Sequence, residues 1–267
     1  MTLSIAIAGA GGRMGRALVR AACSDPRFHI AGGTVRPGQF MGIDMGALAG
    51  VAPLMMNASA TPDLAADNAE VWIDFTAPVA TVEAIDALEG TSVRAAVIGT
   101  TGLSDEQQAR IAAHAKRIAL VQSGNFSLGV NLLAALVEQA AARLGPEWDI
   151  EISEAHHRRK ADAPSGTALL LGEAAAAGRK GRLGDLRLAP REGVTGPRPE
   201  GKIGFSVIRG GGIVGEHDVR FAAEREVLTL SHQALDRAVF ADGALAAALW
   251  AADKPPGLYS MRDVLGM

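Results

Sequence analysis

Residues 3–22 constrain the fold more than any other stretch. Leu3-Ser4-Ile5-Ala6-Ile7-Ala8 is a short β-rich run, and Gly9-Ala10-Gly11-Gly12-Arg13-Met14-Gly15 is a glycine turn. Arg16 to Ala22 then follows with helical spacing. Strand, glycine turn and helix, in that order, is the context in which a dinucleotide fingerprint works. Gly9 permits the tight turn, and Gly11 or Gly12 lets backbone approach a pyrophosphate. Gly15 permits close packing of helix on strand. The spacing is G-x-x-G-x-x-G, a variant, because Met14 stands where G-x-G-x-x-G would place its last glycine.

The pattern continues for more than a hundred residues. Phe28–Val35, Glu70–Thr76, Val93–Ile98 and Ile118–Val121 read as strands, with helices over Val79–Leu88 and from a cap at Ser104. Such alternation implies a parallel sheet with right-handed crossovers, which binds ligands at the carboxyl ends of its strands. Polar segments fall at those ends: the glycine turn, Asp74-Phe75-Thr76, Gly99-Thr100-Thr101-Gly102 and Ser123-Gly124-Asn125-Phe126. After the second strand, an NAD-selective site places an acid on the ribose. Here the residues are Thr34-Val35-Arg36-Pro37. Arg36 offers a planar fork for a 2′-phosphate, although an ordinary loop arginine reads the same way. NADPH is therefore the expected preference, with NADH admitted. Gln39 to Met56 reads as an irregular crossing without evident chemistry.

The second half loses the alternation. Ser127–Leu144 has helical spacing and Trp148–Glu154 alternates with period two. Residues 178–204 read as loops. Phe205–Ile208 and Asp218–Phe221 flank the turn Gly210-Gly211-Gly212, and Glu226–His232 is a further strand. A long apolar helix over Ala234–Ala252 should pack back on the first domain, and Tyr259–Leu265 forms a short tail. The expected architecture is α/β: a Rossmann-type parallel-sheet domain (1–126 and 237–267) plus a smaller α+β domain with a mixed sheet (127–236).

Within the second domain lies Glu154-Ala155-His156-His157-Arg158-Arg159-Lys160-Ala161-Asp162-Ala163-Pro164-Ser165-Gly166-Thr167. Residues 156–160 are consecutive side chains able to carry positive charge, in a chain of formal net charge −3. Crowded together they repel one another unless an anion sits among them, and that repulsion favours proton donation from Lys or His. The following Pro-Ser-Gly-Thr reads as a helix start capped by Ser165 or Thr167. A helix start suits a carboxylate or phosphate, though it also serves as plain structure. The basic run alone fits a solvated face or a nucleic-acid patch, but a slightly acidic chain with 4% aromatics disfavours nucleic acid.

A single cysteine, Cys23, excludes an internal disulfide framework and a Cys-rich metal site. No charged segment followed by an apolar signal core is visible at the N-terminus, and the apolar run 3–8 is too short to span a bilayer. A cytoplasmic protein without membrane partner is expected.

Taken together, these motifs resemble the 4-hydroxy-tetrahydrodipicolinate reductase (dihydrodipicolinate reductase) family of bacterial lysine and diaminopimelate synthesis. The resemblance covers nearly the whole chain. It rests on A-G-A-G-G-R-M-G at the start, D-F-T at 74–76, G-T-T-G at 99–102, N-F-S at 125–127 and R-E-G-x-T-G at 191–196. I-V-G-E-H at 213–217, M-R-D-V-L at 261–265 and above all residues 154–167 complete it. The resemblance implies that the first domain holds NAD(P)H, and that the second binds a cyclic dicarboxylate and builds a homotetramer. It implies His156 as catalytic acid/base, Lys160 as proton donor, and His157, Gly166 and Thr167 as substrate contacts. Cofactor contacts are implied at Gly9, Ala10, Gly11, Gly12, Arg13, Met14, Arg36, Gly99, Thr100, Thr101, Ser123, Gly124, Asn125 and Phe126. Val35 stands where some members carry an acid, which favours NADPH, and Arg159 stands where relatives have His. The contrasting readings are another two-domain NAD(P)-dependent oxidoreductase of amino or imino acids, which would not need the cationic block, and a non-catalytic nucleotide sensor, which would tolerate loss of His156 and Lys160.

Overall fold

Strands in the first half are apolar at most positions, so the sheet they form must be covered on both faces. The computed structural model describes residues 2–267 and shows such a sheet. In chain order the elements of the first half are β1 (Leu3–Ile7), α1 (Arg13–Cys23), β2 (Phe28–Gly33), α2 (Met45–Ala49), α3 (Pro62–Ala66), β3 (Val71–Asp74), α4 (Pro78–Ala87), β4 (Ala95–Ile98), α5 (Asp105–His114) and β5 (Ala119–Gln122). The rest comprises α6 (Leu128–Arg143), β6 (Asp149–His156), α7 (Gly166–Gly178), α8 (Leu183–Leu186), β7 (Ile203–Arg209), β8 (Gly215–Ala222), β9 (Val227–Ala234), α9 (Ala238–Ala252), β10 (Gly257–Tyr259) and α10 (Met261–Val264). The chain divides into two units, residues 1–128 with 238–267, and residues 129–237.

The first unit is a six-stranded sheet of order β10-β5-β4-β3-β1-β2, with every neighbouring pair parallel. Alternate residues of each strand serve opposite cores. Ile5, Ile7, Ile73, Val97 and Val121 face one apolar layer, which contains the alanine-rich surface of α9. Ala6, Trp72, Ala96, Ile98 and Leu120 face the other, with Ile85 of α4 and Ile111 of α5. The strand order reverses beside β1, so the ends of β1 and β3 flank the topological switch point where such sheets bind ligands. Gly9 has φ +64°, a left-handed conformation that favours glycine. A Cβ on Gly15 would lie 2.2 Å from the Gly9 carbonyl oxygen, which is why α1 can begin so close to the strand.

The second unit is a mixed sheet of order β7-β6-β8-β9. β6 runs parallel to β7 and antiparallel to β8, and β8 is antiparallel to β9. Ile150 and Ile152 of β6, Val219 and Phe221 of β8, Leu133 and Val137 of α6, and Leu171 of α7 form its core. No helix among the described residues is long and apolar enough to cross a membrane.

Several expectations need correction. The strands that flank the glycine turn at 210–212 run longer than read, over 203–209 and 215–222, and β6 lies between them. The loop-like 178–204 contains α8 and the first two residues of β7. The apolar helix begins at Ala238, since Ala234 is still paired with Gly215 in the sheet. The expected tail is preceded by β10, which extends the parallel sheet beside β5. The irregular crossing at 39–56 holds α2, capped by Asp44, whose carboxylate also accepts the Leu54 and Met56 amides.

Replacing Gly15 by Ala forces a methyl group into the Gly9 carbonyl. The expected cost is about 1–3 kcal/mol, typical of overpacking. It should appear as a lower denaturant midpoint with unchanged slope; an unaltered midpoint would contradict the packing described.

Candidate functional site

The end of the first-unit sheet is built around backbone. The Gly9 amide donates to Thr34 Oγ1 at 3.2 Å and the Ala10 amide to the Thr34 carbonyl at 2.7 Å, so the end of β2 fixes the glycine turn. No side chain caps the first turn of α1. A Cβ on Gly11 would lie 2.9 Å from the Phe40 ring, and one on Gly9 2.8 Å from Thr76 Cγ2. This glycine cradle beside an uncapped helix start fits a dinucleotide pyrophosphate. Arg13 and Arg36 are exposed, Met14 is half-buried, and Ala10 is wholly buried.

Beyond β3, the Asp74 carboxylate is removed from solvent. Its Oδ1 accepts the Thr76 amide at 2.9 Å and the hydroxyls of Thr76 at 2.6 Å, Thr81 at 3.0 Å and Thr100 at 3.3 Å. Thr100 also bonds Thr81 at 2.7 Å, so its hydroxyl is already engaged. Gly99 has no room for a side chain: a Cβ would lie 2.0 Å from the Phe75 ring. Ser123 Oγ donates to the Asn125 carbonyl at 2.7 Å, and Asn125 Oδ1 accepts the Ser127 amide at 2.8 Å, which makes 123–127 a self-bonded turn. The Phe126 ring is core, packed edge-on against Phe75 at 5.2 Å. Thr100, Thr101, Ser123 and Gly124 line an open cavity of about 720 Å³ together with Gln108, Gln122 and Tyr259. The glycine turn and Arg36 do not line it.

The site in the second unit starts from the period of β6, which sets Glu154 and His156 on the face that carries Ile150 and Ile152. His156 Nδ1 meets Glu154 Oε2 at 2.5 Å. Arg209 grips the same carboxylate with both terminal nitrogens, at 2.7 and 2.8 Å, and Glu154 Oε1 accepts the Ser165 amide at 2.9 Å. Burial alone would raise the Glu154 carboxyl; the bonds from Arg209, His156 and Ser165 outweigh it and hold the group below its ordinary value. Ser165 caps α7 by accepting the Ala168 amide at 3.1 Å, and its Oγ lies 3.2 Å from His217 Nε2. Gly166 opens into free space, with nothing within 4 Å of a Cβ there.

The five-residue cationic run does not converge as a block. The Lys160 amide donates to the His157 carbonyl at 3.0 Å, closing a turn that leaves Arg158 and Arg159 exposed at its corner. Lys160 Nζ is paired with Asp162 at 2.9 Å. His157 Nε2 lies 3.0 Å from Arg237 Nη2, a donor only, so the neutral imidazole carries its proton on Nδ1. That Nδ1 is buried without a protein partner among the described residues. Burial first, then Arg237 and Arg159, depresses the proton affinity of His157. The structure sets His156 at the end of β6 and Gly166 and Thr167 at the start of α7, joined through Glu154 and the Ser165 amide, with His157 and Lys160 in the turn that follows β6. Sequence reasoning missed Glu154, Arg209, His217 and Arg237 as members. Glu154 was legible from its spacing to His156, while the other three come from strands or a loop distant in sequence. Among the described residues no group of three or more His, Cys, Asp or Glu is placed to hold a metal ion.

Comparison with known proteins fits this geometry. The family described as "Dihydrodipicolinate reductase, N-terminus" matches residues 3–126, and "Dihydrodipicolinate reductase, C-terminus" matches residues 129–265. The 4-hydroxy-tetrahydrodipicolinate reductase of Caulobacter vibrioides is 53% identical over 265 residues, covering 99% of this chain and 97% of its own. That of Methylocella silvestris is 52% identical over 266 residues, with the same two shares. The dipicolinate-bound dihydrodipicolinate reductase from Paenisporosarcina superposes with a TM-score of 0.77 at 25% identity, covering 97% of this chain and 98% of its own. An amine dehydrogenase from Mycobacterium smegmatis, 15% identical with a TM-score of 0.62 over 98% of this chain and 95% of its own, shares the fold.

His217 gives a test of the pocket's interior. Burial, then His156, lowers it from 6.5 to about 4. The unfolded chain protonates this imidazole near its ordinary value and the folded one only near 4, so between those pH values the unfolded state binds more protons. His217 thus stabilises the fold above the unfolded value, and that contribution is lost as pH falls through the window. Imidazole NMR should show no protonation of His217 above about pH 5; a midpoint near 6.5 would place it in water.

Proposed function

The chain belongs to the dihydrodipicolinate reductase family, and we propose that it performs that family's reaction, the reduction of 4-hydroxy-tetrahydrodipicolinate to tetrahydrodipicolinate with loss of water. It is an oxidoreductase of the lysine and diaminopimelate route, and it uses a nicotinamide cofactor and a small-molecule substrate. The single observation that carries the assignment to these side chains is the Glu154–His156 pair beside the capped start of α7.

The substrate is a ring with two carboxylates. One carboxylate would take the first-turn amides of α7 at Gly166 and Thr167, where the helix dipole favours negative charge. His157 would donate Nδ1–H to a carboxylate oxygen. Once water has left, the reduced nicotinamide, when bound, would supply hydride to the ring carbon–carbon double bond conjugated with the carbon–nitrogen bond. The protein must then deliver a proton to the developing negative charge. Lys160, paired with Asp162, can give it; His156, with Nδ1 engaged by Glu154, presents Nε2 for the same purpose. Loss of water from the 4-hydroxy substrate also needs an acid at the departing oxygen, so two candidate donors suit a reaction with two proton demands.

On this reading the first unit is the cofactor domain, with Gly9–Met14, Gly99–Thr101 and Ser123–Phe126 as contacts. Most of these act through backbone, because Thr100 and Phe126 have their side chains committed internally. Arg36, exposed beyond β2 with no acid nearby in sequence, favours a 2′-phosphate and hence NADPH over NADH. The second unit would bind substrate and join a homotetramer. A cytoplasmic setting accords with the route.

His156→Ala and Lys160→Ala should each lower kcat at least about a hundredfold, with the NADPH dissociation constant unchanged. Near-normal turnover in both would sink the proton-donor assignment. NADPH consumption should require the condensation product of pyruvate and aspartate semialdehyde, and pyridine-2,6-dicarboxylate should compete with it. Arg36→Ala should raise the KM for NADPH and leave that for NADH within about twofold; an equal rise for both would remove the 2′-phosphate role.

A further inference from the structure

The reaction assigned above uses His156, but nothing in that assignment says what holds its imidazole. We propose that Glu154, locked by Arg209, is a positioning residue that fixes both the His156 imidazole and the start of α7 for proton transfer. The inference rests on the proposed function for its kinetic consequence and on geometry for its substance.

The Glu154 side chain is wholly buried, and each of its oxygens has two donors. Oε2 takes His156 Nδ1 and one arm of Arg209; Oε1 takes the other arm and the Ser165 amide. Arg209 lies directly opposite His156 across the parallel β6–β7 pair, so the guanidinium reaches the carboxylate from the neighbouring strand. It is tied further to the carbonyls of Ile208 at 2.8 Å and Asp162 at 2.7 Å, which binds the 157–164 loop to the same centre.

An ion pair needed only for stability would be complete with Arg209. The additional engagement of His156 has a chemical consequence. A carboxylate accepts only, so the neutral imidazole must carry its proton on Nδ1, leaving Nε2 to exchange protons. Gly215 of β8 flanks that nitrogen, and a Cβ there would stand 3.1 Å from Nε2. The exchanging nitrogen is therefore left uncrowded. Through Ser165, the same carboxylate sets the first turn of α7, so the proton donor and the proposed carboxylate seat share one anchor. The charged or titratable groups around His156 are Glu154 on its own strand, Arg209 on β7, His217 on β8 and His157 next in chain. Lys160 and His232 lie beyond, within the field of His217.

The test uses the full-length enzyme. In wild type, imidazole 15N NMR should report His156 as the Nδ1–H tautomer when neutral; an Nε2–H tautomer would overturn the proposal without any variant. Glu154→Gln should lower kcat about a hundredfold, the scale of a small misplacement of a reacting group, with the NADPH dissociation constant unchanged and the tautomer no longer fixed. Because this leaves the Arg209 charge without its partner, the double variant Glu154→Gln with Arg209→Met removes both charges and should show the same kinetic loss while unfolding cooperatively. A folded variant turning over within about threefold of wild type would reduce the ion pair to a structural role. If wild type itself fails to consume NADPH with the substrate, the proposed function has failed, and the NMR result still decides the positioning of His156.

Discussion

A carboxylate without water must find every partner in the protein. For Glu154 those partners are a guanidinium from β7, an imidazole from its own strand and the amide that opens α7. All are satisfied only if β6, β7 and the start of α7 arrive in the right register. Leaving one out would strand a buried charge, far costlier than the pair is stabilising, so the arrangement enforces geometry more than it adds stability. The order of the second unit around its chemistry follows from this requirement.

The first unit solves a similar problem without a cation. Asp74 is buried at the end of β3 and is met by hydroxyls of Thr76, Thr81 and Thr100 and by the Thr76 amide. These donors tie β3, the start of α4 and the loop after β4 into one polar knot at the sheet's edge. The two units thus place a buried acid at the carboxyl end of a strand and use it to hold a functional turn. In one the donors are neutral and the turn presents backbone; in the other they include Arg209 and the turn presents titratable side chains.

Local pattern made the first unit readable. A glycine turn after an apolar strand leaves few architectures, and alternating strand and helix leaves one sheet type. The basic run and the Pro-Ser-Gly-Thr helix start were equally plain, and Ser165 is the cap. What the pattern could not carry were non-local pairings. Nothing near Gly210–Gly212 announces that β6 will separate β7 from β8, since a glycine-rich link between two strands ordinarily suggests a hairpin. The same gap hid Arg209, His217 and Arg237, whose relation to His156 and His157 exists only once the sheet is registered. The charge run misled in another way: a turn at 157–160 sends two of its arginines outward, and local sequence does not tell which.

The parallel sheet of the first unit is completed by β10, three residues near the end of the chain that pair with β5, and one of its two cores is filled by α9. Everything in the second unit is made in between. During synthesis, therefore, the half that carries the glycine turn lacks one edge strand and the α9 part of one covering layer until residues 238–259 are made, while the mixed-sheet half has all its own strands in hand before then. The parallel-sheet unit is thus the first to be started and the last to have all its strands.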